Sequence, residues 1–292
     1  MSIDEATLGP IVARVAALTI YPLKSAAGIE VTAMPLDGRG AVGDRRWLLI
    51  DDEGSAITAR ECHALLRIQA LVDDADRDGA LTLSAAGYPT LRVEVPPADA
   101  PRVSAQVWDD TVLASHTDRT ASEWCREVIG RPCTLVRVGE QTRRPLQPRY
   151  AGPVPYAARD VAFSDGAPLM MLGLPSIAAL NARLLEQGHP ETMDRRRFRA
   201  NVWLEGLAPH EEDTWRAVQV GEVACGCGTL CARCVLTTVH PDSLARGDEP
   251  LRTFASYRRR DGGVMFGVNA THAASGTIRV GDVVRVSAHR DG

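Results

Sequence analysis

The sequence predicts a mainly β protein of the α+β kind, built as two β units with a few helices. Three observations carry this. Short apolar runs recur through the first 115 residues, each bounded by Asp/Gly or Pro clusters, the pattern of a small barrel or sandwich. Only two stretches, near 118–130 and 176–188, keep a helical apolar period. With 292 residues and 45% hydrophobic content, the chain is long enough for two ordinary cores.

Residues 11–23 alternate loosely and end at Pro22, as a strand does. Lys24 to Gly28 then make a turn with an ammonium, a hydroxyl and backbone N–H groups, a set that can cradle a phosphate. Gly38, Gly40 and Gly43 punctuate a second turn, which opens a strand from Asp44 to Ile50 with Arg45 and Arg46 at its mouth. A hairpin turn at 51–54 returns a strand over Ala56–Arg60. Further strands are expected at Ala80–Ser84, Thr90–Val95, Arg102–Trp108 and Thr111–Ser115. A helix follows, with Ala121, Trp124, Cys125, Val128 and Ile129 on one face. Asp118 or Thr120 caps it, and Gly130 and Pro132 stop it. Cys62, Cys125 and Cys133 are expected in the core.

Residues 141–160 hold Arg143, Arg144, Arg149 and Arg159 among Pro145, Pro148, Pro153 and Pro155, with no apolar period. This reads as a linker or a long functional loop between a unit at 10–140 and one at 161–288. Its arginines suit a solvated surface or an anion site equally. The second unit opens with a strand at Val161–Pro168 running into a polar turn. Ser176 is expected to cap a helix over Ile177–Gln187 that ends at Gly188. Arg199 and Asn201 stand two apart and share one face of a strand, while Arg195–Arg197 read as solvated. The chain closes on Gly276–Ser287, which reads as a hairpin about Gly281 and Asp282.

Four of the seven cysteines fall between Cys225 and Cys234. Val235–Val239 has the composition of a buried strand, so Cys234 is expected at a loop–strand junction beside Arg233. A thiolate held there, next to a guanidinium, suits a metal ligand or a nucleophile. Three chemistries fit the spacing. One is an Fe–S site using Cys227, Cys231 and Cys234. Another is a zinc knuckle that adds Cys225. The third has Cys234 alone binding a metal that an organic cofactor carries.

Composition narrows the classes. A net charge of -4 gives no reason to expect nucleic-acid binding. The polar N-terminus does not read as a signal or transit peptide, and no run approaches the ~20 apolar residues of a membrane span. Irregular cysteine spacing suits a reducing cytoplasm. Lys24 is the only lysine among 33 basic residues, which invites a role for its compact charge.

Taken together, several segments resemble the MOSC family of molybdenum-cofactor proteins, in particular the amidoxime-reducing components and their bacterial relatives. They are Ile-Tyr-Pro-Leu-Lys-Ser (20–25), Asp-Arg-Arg-Trp-Leu-Leu-Ile (44–50), Thr-Ala-Arg (58–60) and Phe-Ser-Asp-Gly-Ala-Pro (163–168). Leu-Asn-Ala-Arg-Leu (180–184), Arg-Phe-Arg-Ala-Asn (197–201) and Cys-Ala-Arg-Cys-Val-Leu-Thr-Thr-Val-His-Pro-Asp (231–242) follow in the same order. The resemblance implies a MOSC N-terminal β domain followed by a MOSC β-barrel domain. It makes Cys234 the thiolate ligand of molybdenum and the catalytic residue. It implies that Lys24, Ser25 and Arg45 hold the pterin phosphate, and that Ser164, Asp165, Arg199, Asn201 and Arg233 line the cofactor. The implied activity is reduction of N-hydroxylated compounds by oxygen-atom transfer to molybdenum. Electrons would come from a separate protein of ferredoxin or cytochrome b5 type. The family also includes the C-terminal part of molybdenum-cofactor sulfurases, so a cofactor carrier or sulfur-relay module is the second reading, and the Fe–S protein the third. The chain departs from relatives at His240, where Asp is frequent, at Ala232, where Ser is common, and in its extra Cys225 and Cys227.

Overall fold

The structure, a computed structural model, describes residues 9–73, 75–153, 160–260 and 262–290. Pro155 and Arg159 lie outside the described residues. The first half carries β1 (Ile11–Ile20), β2 (Ile29–Val31), β3 (Ala33–Asp37), β4 (Gly40–Ala41) and β5 (Trp47–Ile50). It continues with β6 (Gln69–Val72), β7 (Leu81–Ser84), β8 (Leu91–Val93), β9 (Arg102–Val107), β10 (Asp110–His116), α1 (Arg119–Ile129) and β11 (Thr134–Arg137). The second half holds β12 (Leu169–Gly173), α2 (Leu174–Glu186), β13 (Val202–Glu205), β14 (Trp215–Val220) and β15 (Val223–Ala232). It ends with α3 (Leu251–Tyr257), β16 (Arg259–Arg260), β17 (Gly263–His272), β18 (Gly276–Arg279) and β19 (Val283–His289).

Seven strands close a barrel. They run in the order β12, β13, β1, β19, β14, β15, β17, and β17 pairs back to β12. The β12–β13 pair is parallel. Strand β1 is therefore part of the wall formed by the chain's second half, between β13 and β19. Side-chain alternation fills the interior: Ala13 and Val15 point in, a bulge between Val15 and Ala17 shifts the phase, and Leu18 and Ile20 then point in. Val218, Val220, Cys225, Cys227, Val268, Val284 and Val286 complete this core. Helices α2 and α3 lie over a separate cluster containing Leu180, Phe198, Trp203, Phe254 and Phe266.

Strand β2 adds to β1 and β16 to β17, and the other strands make a sheet in the order β5, β11, β10, β9, a three-stranded β6–β7–β8 sheet, and a β18–β3–β4 sheet. Strand β5 is buried on both faces. Trp47 and Leu49 enter a core with Leu65, Leu83 and Trp124, while Leu48 and Ile50 enter one with Val107, Val136 and Phe163. Helix α1 starts as expected, with Asp118 accepting from the Ala121 N–H at 2.7 Å, and stops at Gly130 in the left-handed conformation.

Several sequence expectations are corrected. Strand β15 extends through most of the cysteine run, and Val235–Thr238 is a 3-10 turn, not a strand. Val161–Pro168 is irregular. Ala56 makes one bridge to Ile50, and the chain then turns at 58–61 instead of continuing as a strand. Ser176 lies inside α2, where its hydroxyl binds the buried Glu212 carboxylate at 2.7 Å; the cap position is Gly173. Strands β18 and β19 do not pair with each other. The turn at Gly281 sends β18 to β3 and β19 to β1 and β14.

Candidate functional site

The site lies where the turns of the first half meet the barrel. Three turns supply its cations. Lys24 and Ser25 follow Leu23, which bridges Trp47. Arg45 stands just before β5. Arg60 sits on the 58–61 turn, closed by the Glu61 and Cys62 N–H groups on the Thr58 carbonyl. From the barrel side come Arg199 and Asn201 before β13, and Arg233 and Cys234 after β15.

Lys24 is 4% exposed; its Nζ donates to the Phe163 carbonyl at 2.7 Å and to Asp165 Oδ1 at 2.5 Å. Burial pushes the ammonium down to about 8 against the pull of Asp165. Burial raises the Asp165 carboxyl, but Lys24 and Arg60 outweigh it and hold the group well below the usual carboxylate range. Arg60 also reaches the thiol, with Nε 3.3 Å from Cys234 Sγ. Cys234 is half-buried.

The second cationic group is built on Tyr21. Arg45 and Arg199 lie against the Tyr21 ring, with guanidinium carbons 4.7 and 4.2 Å from its centroid. The Tyr21 hydroxyl donates to the Ala200 carbonyl at 3.1 Å, and burial pushes its phenol up to about 12. Arg45 pairs with Asp44 at 2.5 Å and donates to Asn201 Oδ1 at 3.2 Å. Arg199 donates to the Ala26 carbonyl at 2.7 Å, and burial lowers its guanidinium to about 10. Arg233 donates to the Phe198 carbonyl at 2.6 Å and to Cys231 Sγ at 3.1 Å.

Two features here suit the binding of a ligand. Ser164 Oγ, Arg199 Nη2 and Arg233 Nε are buried and have no partner among the described residues, so each can still bond a ligand. Moreover, six non-glycine residues among those described have positive φ, and four are here: Ser25 (69°), Arg45 (50°), Trp108 (58°) and Arg199 (55°). Left-handed backbone at residues with side chains concentrates at sites where geometry is over-determined. Five cations, Lys24, Arg45, Arg60, Arg199 and Arg233, meet the carboxylates Asp44 and Asp165. That excess favours an anionic ligand.

All the predicted site residues lie in this region. The expectation that Arg199 and Asn201 share a strand face is corrected, because Arg199 ends a 3-10 turn and Asn201 precedes β13. They converge through Arg45, which donates to Asn201 Oδ1 and to the Arg199 carbonyl. Arg197 is 7% exposed and not solvated. Neither the three-cysteine Fe–S site nor the four-cysteine zinc knuckle is assembled among the described residues. Cys225 and Cys227 point into the barrel core, where burial pushes the Cys227 thiol up to about 12 and Cys225 higher still. Bulges after Cys227 change the phase, and Cys231 packs outside with the Phe198 cluster. No group of three His, Cys, Asp or Glu side chains among the described residues is placed to hold a metal ion. Gly226 and Gly228 serve packing, not turns: a Cβ on Gly152 would lie 2.5 Å from Gly226 backbone, so the 148–152 segment closes directly on β15. A cavity of about 480 Å³ lined by Arg197, Thr238 and His240 contains none of the predicted residues.

Sequence reasoning missed Tyr21, Arg60 and Trp108. Arg60 stood within the quoted Thr-Ala-Arg segment, and only its contact with Cys234 gives it a place.

This barrel with its paired first half places the chain in a known class. Residues 12–132 match the MOSC N-terminal beta barrel domain and residues 158–285 match the MOSC domain, and the chain belongs to this family. Among similar relatives is mitochondrial amidoxime-reducing component 1 of Mus musculus, 34% identical over 289 residues, covering 94% of this chain and 82% of that protein. The Homo sapiens protein of the same name is 33% identical over 292 residues, covering 94% and 82%. The molybdenum cofactor sulfurase of Oryza sativa subsp. japonica is 32% identical over 272 residues, covering 86% of this chain but 31% of that protein. No helix among the described residues is long and apolar enough to cross a membrane.

Proposed function

We propose that this protein binds a molybdenum-bearing pterin cofactor and reduces N-hydroxylated compounds to their N–H forms with electrons from a separate redox protein. The observation that carries the reading is the convergence of one half-buried thiol with five cations and three unpartnered buried polar atoms. The donor set suits the group. A soft thiolate, Cys234, is the ligand type molybdenum takes, and Lys24, Ser25, Arg45 and Arg199 form a donor-rich cradle for a phosphate. Ser164 Oγ, Arg199 Nη2 and Arg233 Nε supply the bonds that pterin heteroatoms need. When bound, the metal supplies the two-electron chemistry that removes the N–O oxygen. The chain's own residues bind and orient. Lys24, itself buried, neutralises charge, Asp165 and Asn201 hold Lys24 and Arg45 in register, and Cys234 anchors the metal end. The names of the relatives support this reading, and the seven free thiols agree with a reducing, cytoplasmic setting.

The test is metal and pterin analysis of protein purified anaerobically from a host that makes the cofactor. Near-stoichiometric molybdenum with pterin is expected, and Cys234→Ala should lose both the metal and the reductase turnover. Full turnover in Cys234→Ala would rule out the assigned ligand. The sulfurase relatives favour one second reading, a carrier or sulfur-relay module. It predicts bound cofactor with no turnover of N-hydroxylated compounds.

A further inference from the structure

The Cys234 thiol is held by a side chain from the other half of the chain. Arg60 donates Nε to Cys234 Sγ at 3.3 Å and Nη2 to Asp165 Oδ2. Its guanidinium lies over the Trp108 ring, with Cζ 4.6 Å from the centroid. Trp108 in turn donates its indole N–H to Asp165 Oδ1 at 3.3 Å. The guanidinium is thus fixed by a carboxylate, an aromatic face and the sulfur at once. Trp108 has φ 58° yet is 54% exposed, so burial does not explain why a bulky residue keeps left-handed backbone in this turn. The contacts to Arg60 and Asp165 do.

We infer that Arg60 is the positioning residue of the Cys234 thiolate and that Trp108 is the brace that keeps Arg60 in place. The inference rests on the reading of Cys234 as a metal-binding thiolate. Sulfur has more than one lone pair, so an N–H bond can fix the Sγ rotamer and leave a lone pair free for a metal. An N–H···S bond and a nearby positive charge also draw electron density from a ligating thiolate, which favours the reduced metal and raises its potential.

Two measurements test this. In metal-free protein, the Arg60 Nε–H should give a resolved, slowly exchanging 1H–15N signal that Cys234→Ala and Trp108→Leu both release. A freely exchanging Nε–H, or one unchanged in Cys234→Ala, overturns the inference. In loaded protein, Arg60→Met should keep its molybdenum but lower the reduced-to-oxidised ratio at fixed potential about tenfold, about 59 mV for one electron. Its Mo(V) electron paramagnetic resonance signature should shift, and Arg60→Lys should recover part of the change. An unchanged potential and signature in Arg60→Met also overturn it. Failure of the cofactor reading looks different: the wild-type protein would carry no molybdenum, and the Nε–H signal would still decide whether Arg60 positions the thiol.

Discussion

Lys24 shows how a single residue carries both stability and binding. Its folded value of about 8 lies below the ordinary 10.5, because burial penalises the ammonium more than Asp165 favours it. Between those two values the unfolded chain holds more protons than the folded one, so the stability of ligand-free protein rises with pH across that window. Denaturant titration at pH 7 and pH 10 should show this gain in wild type and its absence in Lys24→Met. A bound phosphate would relieve the same burial penalty. Calorimetric titration with inorganic phosphate should therefore show affinity falling as pH rises through about 8, with the step removed in Lys24→Arg. Lys24→Met should weaken phosphate binding at pH 7 on the order of tenfold or more, the worth of one charge-assisted bond. Flat phosphate affinity across pH 8 in wild type would remove Lys24 from the cradle.

At the scale of elements, the irregular segment at 160–165 matters more to the site than any strand. It presents Ser164 and Asp165, and Arg144 holds it. This arginine, 3% exposed, donates to the carbonyls of Ala162 at 3.0 Å and Ser164 at 2.5 Å and pairs with Asp110 at 2.9 Å. The sequence left Arg144 between a solvated surface and an anion site, and its hydrogen bonds show it as a strut. Arg144→Met leaves two carbonyls and a carboxylate without their donor. It should cost about 2–4 kcal/mol by denaturation and lower cofactor content as Ser164 and Asp165 shift. Asp118→Ala provides the contrast. Loss of the α1 cap should cost about 1 kcal/mol and leave metal content unchanged, because α1 packs in the first-half core and supplies none of the site residues.

For the whole molecule, the consequential fact is that β1 belongs to the barrel. It pairs with β13 through Arg14–Leu18 and with β19 through Ile11–Arg14, and it places Ala13, Val15, Leu18 and Ile20 in the barrel core. A fragment of residues 141–292 would lack that strand and expose the edges of β13 and β19. Such a fragment should aggregate or show no cooperative unfolding by circular dichroism, and a peptide of residues 9–37 added in trans should restore a cooperative transition. A cooperative 141–292 fragment would mean that β13 and β19 can close without β1. The same arrangement places Lys24 four residues after the end of a barrel strand, which is how this first-half turn comes to the barrel.

Much of this was readable in the chain itself. Short apolar runs and regular turn residues gave the mainly β class and the strands near 81–84, 91–93, 102–107 and 110–116, and a 3.6-residue apolar period between cap residues gave the helix at 119–129. These signals are local, and local chemistry writes them directly into neighbouring residues. The order of the quoted segments pointed to the family, and the lone lysine and Cys234 pointed to residues of the candidate site. Other features were decided by contacts distant in sequence. Two bulges turned the cysteine run from a cluster into two groups facing opposite ways, and nothing in the spacing of Cys225, Cys227, Cys231 and Cys234 encodes a bulge. Left-handed backbone at Ser25, Arg45, Trp108 and Arg199 carries no sequence mark, since only the surrounding structure can hold such residues there. Tyr21 against Arg199 and Arg60 against Cys234 join positions more than 170 residues apart. Such pairings depend on which turns the closed barrel brings together, so the tertiary structure alone decides them.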